Sequence, residues 1–362
     1  MADRRTIENS VMILKRLLDL KEASQVELTK LLPLKRTSVF YIFEFLKNSG
    51  LLSVSESSVS RKGRPSQLWS LNPEAGIFIV AYFNNVKNYY AFYDFSGRLV
   101  SLKEVLPASN LAESFKDLKR KSSEFKEKTV CGAMLAVSGS VDSALGEIVN
   151  SRIWEAKRFP AKDELEKIFG TSDTLLTCVE NNSNLAAWGE KVKGVCKGFD
   201  SFMTLHIHEG SAALALGSGL VLEGRLFRGE RGEAGELDRS YYSWLEDRYG
   251  CESLPRDLDG MDGDDLKAFA GEIARNMANI VNYLTPQKLV LIRNNKQFPD
   301  VFVNSFRSSL RENLITAFPQ SFPVETSTLG AKAVLEGGLD ILMNKYFDSS
   351  PQLLKRITGI EN

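Results

Sequence analysis

Between Ser24 and Gly50 the chain has few choices of local structure. Ser24 followed by Glu27 is a capping box, in which each side chain can satisfy a backbone N–H at a helix start, and Pro33 closes the helix that begins there. Upstream, Ile7, Val11, Leu14 and Leu18 recur at helical spacing with Lys15, Arg16 and Asp19 between them, which predicts an amphipathic helix over Ile7–Leu20. Downstream, Val39, Ile42, Phe43 and Leu46 form one face of a third helix over Lys35–Ser49, stopped by Gly50. Three short helices with a tight turn before the last make a helix-turn-helix.

The outer face of that third helix shows Arg36, Thr37, Phe40, Tyr41, Glu44 and Lys47. Residues near the start of a recognition helix reach base edges and phosphates, so Lys35, Arg36, Thr37, Ser38 and Tyr41 are the candidate DNA contacts. Leu51–Val54 and Gln67–Leu71 alternate as two strands around a polar wing ending in Arg61-Lys62-Gly63-Arg64-Pro65. A Gly-Arg-Pro segment is slim enough for Arg64 to enter an A·T-rich minor groove, and Arg61 and Lys62 join it as candidates.

Charge agrees locally rather than globally. The 362 residues hold 46 basic and 46 acidic side chains, yet Lys30–Asn72 carries seven basic against two acidic. The N-terminus has no apolar signal core and no later stretch is apolar enough to span a bilayer, so a cytoplasmic protein without a membrane partner is expected. Cys131, Cys178, Cys196 and Cys251 are scattered without a Cys-x-x-Cys pair, which predicts reduced, mostly buried thiols.

Beyond residue 72 the pattern turns to α/β. Gly76–Tyr82 and Asn88–Phe95 read as paired strands turning near Asn84-Asn85, followed by a third from Arg98. Val130–Val137 and Leu175–Val179 are apolar runs of buried-strand type, alternating with helical stretches at Leu111–Phe125 and Leu185–Val195. Leu266–Tyr283 and Ala331–Tyr346 read as helices suited to core or interface.

Several motifs in order resemble the ROK family of repressors, open reading frames and kinases. They are Ser24–Leu34, Gly63-Arg64-Pro65, Ser138-Gly139-x-Val141-Asp142, Val179–Asn184, Gly224–Gly229, Gly232–Glu236 and Leu329-Gly330-Ala331. The match is similar to the family's xylose-repressor-like members, with Lys35 standing where the family usually has a capping Ser. The resemblance implies an α/β fold: an N-terminal winged helix-turn-helix followed by a two-lobed, ribonuclease-H-like, actin-like ATPase-type body. The expected division is 1–72 for the DNA-binding domain, 73–185 for the small lobe completed by 330–362, and 186–329 for the large lobe.

The resemblance also says what a kinase member would hold and this chain lacks. The family's catalytic base is an Asp where Asn182 stands, and an amide cannot take a hydroxyl proton. The first phosphate motif is replaced by Tyr82-Phe83-Asn84-Asn85-Val86 without glycine. The second falls at Gly210 or at Gly217 and Gly219, one glycine short on either alignment, and Arg293-Asn294-Asn295 replaces the adenosine-side Gly-Gly. The zinc ligands are missing too, with Arg239 at the His position and Cys251 alone of the three Cys. His206 and His208 are expected to pack rather than bind metal.

No catalytic residue, metal or cofactor is therefore expected, while the hydroxyl-binding set is retained: Ser138, Gly139, Asn181, Asn182 and Glu236, with Arg239 and Glu252 as possible replacements for lost ligands. The expectation is a transcriptional repressor of sugar genes, partnered by a double-stranded DNA operator and a small sugar inducer, and acting as a homodimer or higher homo-oligomer. The alternative is an active sugar kinase with an appended DNA-binding module.

Overall fold

A computed structural model describes residues 4–56, 67–171, 175–210, 214–237, 240–294, 296–315, 322–348 and 351–358. The chain begins with α1 (Arg4–Leu20), β1 (Glu22–Ser24), α2 (Gln25–Leu31), α3 (Arg36–Asn48), β2 (Leu52–Glu56) and β3 (Gln67–Leu71). The capping box closes: the Glu27 N–H donates to Ser24 Oγ at 3.2 Å and the Ser24 N–H donates to the Glu27 carboxylate at 2.7 Å. The Ser24 N–H, together with the Ser24 hydroxyl that also donates to this carboxylate at 2.8 Å, holds the Glu27 carboxyl below its ordinary pKa. Lys35, the residue before α3, provides no side-chain cap.

β1 is a three-residue strand that the sequence reading did not anticipate, too short for alternation to show. It pairs antiparallel with β3, Ala23 opposite Trp69, while β2 takes the other edge of β3. Trp69 stacks on Phe43 at 4.5 Å between ring centroids, which fixes the wing strands against α3. The wing tip with Arg61, Lys62 and Arg64 lies outside the described residues.

The first lobe runs through β4 (Ile77–Phe83), β5 (Asn88–Asp94), β6 (Leu99–Val105), α4 (Leu111–Ser122), β7 (Val130–Val137), β8 (Ser140–Asp142), β9 (Glu147–Ser151), β10 (Ala156–Phe159), α5 (Ala161–Phe169), β11 (Leu176–Asn181) and α6 (Asn182–Val192). Its main sheet has the order β11-β7-β4-β5-β6. β4 is buried at every residue, as an apolar run without alternation requires, whereas the edge strand β6 leaves Leu99 and Val100 exposed.

The second lobe runs through β12 (Phe202–His208), β13 (Ala215–Leu222), β14 (Arg225–Phe227), α7 (Ser240–Tyr249), α8 (Gly263–Leu284), β15 (Leu289–Arg293), α9 (Asp300–Asn313) and β16 (Val324–Thr326). Its order, β14-β13-β12-β15-β16, repeats that of the first. In each sheet an antiparallel three-strand meander starts at the central strand and two parallel strands continue on its other side. This duplicated arrangement is the ribonuclease-H-like, actin-like pair.

The chain then returns. α10 (Ala331–Phe347) packs on β4, β7 and α6 of the first lobe, and α11 (Pro351–Thr358) follows it to lie against α1. One continuous apolar cluster contains Leu14 and Leu17 of α1, Phe43 and Trp69 of the N-terminal module, and Phe78, Leu342 and Tyr346 of the body. The Lys15 ammonium donates to Asp348 at 2.9 Å across the same junction. The N-terminal module is thus docked on the body through a dry core, not hung from a linker. No described helix is long and apolar enough to cross a membrane.

Candidate functional site

β11 ends in Asn181 and α6 starts one residue later, so two successive asparagines fall at the seam between the lobes. Asn181 caps α6: its Oδ1 accepts from the N–H groups of Ser183 and Asn184 at 2.7 and 3.1 Å, and its Nδ2 donates to the Gly139 carbonyl at 2.9 Å. Asn182, 1 % exposed, donates through Nδ2 to Ser138 Oγ at 2.9 Å and to the Tyr82 hydroxyl at 3.2 Å. The helix start and the loop after β7 are therefore one hydrogen-bonded unit.

A cleft of about 190 Å³ opens over this unit. It brings together Ser138, Gly139, Asn181 and Asn182 with Glu236. Loss of solvent around the Glu236 carboxyl, with the charge of Glu233 nearby, raises its pKa against the opposing pull of Arg152, although the residue as a whole remains exposed. Glu252 is exposed and is not among the residues lining the cleft; Arg239 lies outside the described residues. Asn150, Arg152, His208 and Tyr241 also line it. Sequence reasoning missed three of these and read His208 as packing, because they arrive from a hairpin turn, a strand and a helix with no shared motif.

Behind the cleft stands a buried polar ring. The Tyr82 hydroxyl accepts from the amides of Asn84 at 2.7 Å, Asn182 at 3.2 Å and Asn294 at 3.4 Å, joining the end of β4 to the residue that follows β15. Asn294 Oδ1 lies 2.9 Å from His206 Nε2, the His206 and His208 rings are 3.9 Å apart, and His208 Nε2 meets Ser183 Oγ at 3.2 Å. Burial lowers the pKa of both imidazoles, to about 4 for His206. Both are neutral at physiological pH.

A larger cleft of about 620 Å³ lies between β5 and β6 on one side and α9 and the start of α10 on the other. Two of its cations, Arg293 and Lys296, are already ion-paired. Arg293 donates to Glu209 at 2.6 Å and to Asp259 at 2.8 Å, and Lys296 to Asp259 at 2.7 Å. The smaller cleft, with convergent amides and a carboxylate, is the better hydroxyl-binding candidate despite its size.

The turn that stands in place of the first phosphate motif is closed upon itself. Between β4 and β5, the Asn84 N–H donates to Asn88 Oδ1 at 3.0 Å and the Val86 N–H to Asn84 Oδ1 at 2.7 Å. The Asn85 amide lies against Gly210, where a Cβ would collide with it. Gly210 follows β12 in the turn, whereas Gly217 and Gly219 sit within β13, where their missing side chains let Ser183 and Ala187 of α6 approach. Among the described residues no group of three His, Cys, Asp or Glu could hold a metal ion; Cys251 is exposed and the other three thiols are buried.

On the N-terminal module, Lys35, Arg36, Thr37 and Tyr41 are exposed along the start of α3 and Ser38 is half-buried. Phe40 and Tyr41 are 56 % and 61 % exposed, an aromatic pair that no core needs. Lys35 and Arg36 have no ion-pair partner among the described residues, so the face offers free cations.

Fold and site together define a two-lobed body of the sugar-kinase type bearing a winged helix-turn-helix. The ROK family model matches residues 91–251 of the chain. The xylose repressor of Staphylococcus xylosus is 24 % identical over 378 residues, covering 93 % of this chain and 95 % of that protein. The xylose repressor of Caldicellulosiruptor bescii is 21 % identical, again over 93 % and 95 % of the two chains. The crystal structure of a ROK family transcriptional regulator, a homolog of the E. coli MLC protein, superposes with a TM-score of 0.73 at 18 % identity, covering 99 % of this chain and 100 % of that one. A ROK family glucokinase from Streptomyces griseus superposes at 0.61 with 19 % identity, over 74 % of this chain and 100 % of that one.

Proposed function

We propose that this chain is a DNA-binding transcriptional repressor whose kinase-type body senses a sugar without phosphorylating it. The observation that carries the reading is the unbroken packing from cleft to DNA-reading module. α6 begins with the cleft asparagines, its Gly189 meets the backbone of α10 at Ala333, and α10 and α11 meet α1. A ligand that hydrogen-bonds Ser138, Gly139, Asn181, Asn182 and Glu236 favours one lobe arrangement, and the docked module moves with it; Arg239 is kept as a further candidate contact.

The near full-length likeness to xylose repressors supports both halves of the reading and makes xylose the first sugar to test. Sensing without transfer is supported by the Asn182 amide at the family's base position and by the self-bonded turn at Asn84–Val86. DNA contact is assigned to Lys35, Arg36, Thr37, Ser38 and Tyr41, with Arg61, Lys62 and Arg64 of the wing. The working division is 1–72 for DNA, 73–185 with 330–362 for one lobe and 186–329 for the other, in a cytoplasmic homodimer on a palindromic operator.

The test is operator binding by the full chain across xylose and other neutral, acidic and phosphorylated sugars. One sugar should weaken operator affinity by tenfold or more. If no sugar alters it, sensing fails; sugar-dependent ATP turnover that vanishes in Asn182→Ala would establish a kinase instead.

A further inference from the structure

Alongside the Ser218 hydroxyl, His208 is a cleft-lining residue whose hydrogen bonding is left incomplete. It is 6 % exposed, it lines the cleft, and its Nδ1 has no partner while Nε2 meets Ser183 Oγ at 3.2 Å. A Cβ on Gly217 would strike Ser183 Oγ, so the glycine lets β13 pack directly against this pair. A buried polar atom without a partner is costly and calls for an explanation.

The chemistry of the missing partner follows from the ring. If Nε2–H donates to Ser183, Nδ1 presents a bare lone pair and needs a donor. If Nε2 accepts from Ser183, Nδ1 carries a proton and needs an acceptor. A hydroxyl satisfies either tautomer, whereas an ionised phosphate or carboxylate oxygen only accepts. His206 cannot help: Asn294 Oδ1 accepts from its Nε2–H, and its own Nδ1 is likewise unpartnered.

Charge points the same way. Burial and the neighbouring ring keep His208 neutral, and the cation lining the cleft among the described residues is the exposed Arg152. An anion at the floor would lose its water without a counter-charge, while Glu236 contributes a carboxyl of the same sign.

We propose that His208, held by Ser183, reads an uncharged hydroxyl at the floor of the cleft, so that the cleft accepts a neutral sugar and rejects one carrying a phosphoryl or carboxylate group at that end. This rests on the reading of the cleft as a sugar site. His208 is therefore a specificity-determining residue, and the occupant is a polyhydroxy compound.

The experiment is calorimetric titration of the full-length protein with neutral pentoses, hexoses and N-acetylhexosamines, and with their terminal phosphates and uronic acids. The wild type should bind a neutral member at least a hundredfold more tightly than its charged counterparts. His208→Leu should weaken that neutral sugar tenfold or more, and Ser183→Ala several-fold, with circular dichroism confirming that each variant is folded. Charged sugars binding as tightly as neutral ones would overturn the proposal. So would wild-type affinity in both variants, with the cleft reading left standing. Binding of no sugar at all by a folded wild type that still holds its operator would remove the cleft reading as well.

Discussion

The indole N–H of Trp188 on α6 donates to the carboxylate of Asp340 on α10 at 2.7 Å. Asp340 also accepts from Asn344 Nδ2 at 3.0 Å, and its burial raises its pKa, with Asp19 of α1 and the following Lys21 close enough to act on it electrostatically. One bond thus joins the helix that starts at the cleft asparagines to the helix on which the N-terminal module rests.

Trp188→Phe keeps an aromatic side chain, though a smaller one, and removes this bond. Stability should fall by about 1–3 kcal/mol, the cost of a buried acceptor losing a partner, which urea unfolding would read. Sugar should then shift operator affinity less than in the wild type, and an unchanged shift would show that coupling bypasses this contact.

Gly337 lets α10 touch α6 backbone to backbone, since a Cβ there would fall within the radius of the Leu185 carbonyl oxygen. Gly337→Ala must separate the helices despite its better helix propensity, so a net loss of about 1–3 kcal/mol is expected from overpacking. A raised melting temperature would refute the close approach.

Arg36 and Tyr41 stand exposed on α3 and contribute nothing visible to the core. Arg36→Ala and Tyr41→Ala should each leave the unfolding midpoint unchanged and weaken operator binding by about 1–3 kcal/mol. Electrophoretic mobility shifts at fixed salt would check both; an intact affinity would move the recognition face elsewhere.

His206 gives a pH prediction. Its folded pKa of about 4 lies below the ordinary value of 6.5, so the unfolded chain binds the extra proton between these limits. Its contribution is fully present above pH 6.5 and is lost as pH falls toward 4, with a maximum slope of about 1.4 kcal/mol per unit. Urea unfolding of wild type and His206→Asn across this range should give difference curves with that slope; parallel curves would mean that the ring is not held neutral.

Much of the fold was legible in the sequence because it is written in local terms. Ser24 and Glu27 stand three residues apart and close their own capping box. The unbroken apolar run of β4 and the 3.6-residue spacing of α1 needed no distant partner to be recognised. Three-residue β1 was invisible, since its existence depends on β3, more than forty residues away.

The site divides in the same way. The sequence determined the residue types at the seam, with Asn181, Asn182 and Glu236 in motifs whose neighbours also match, and it determined that Asn182 is an amide rather than an acid. Tertiary structure alone decided what those groups face. Tyr82, Asn294, His206 and His208 come from β4, the residue after β15, and β12, and their polar ring forms only when two similar lobes close on each other. Likewise Gly189 and Gly337 are unremarkable in their own helices, and only the crossing of α6 and α10 makes the missing Cβ atoms matter. Local propensity reaches a few residues along the chain, whereas burial and hydrogen-bond pairing between lobes are properties of the assembled core.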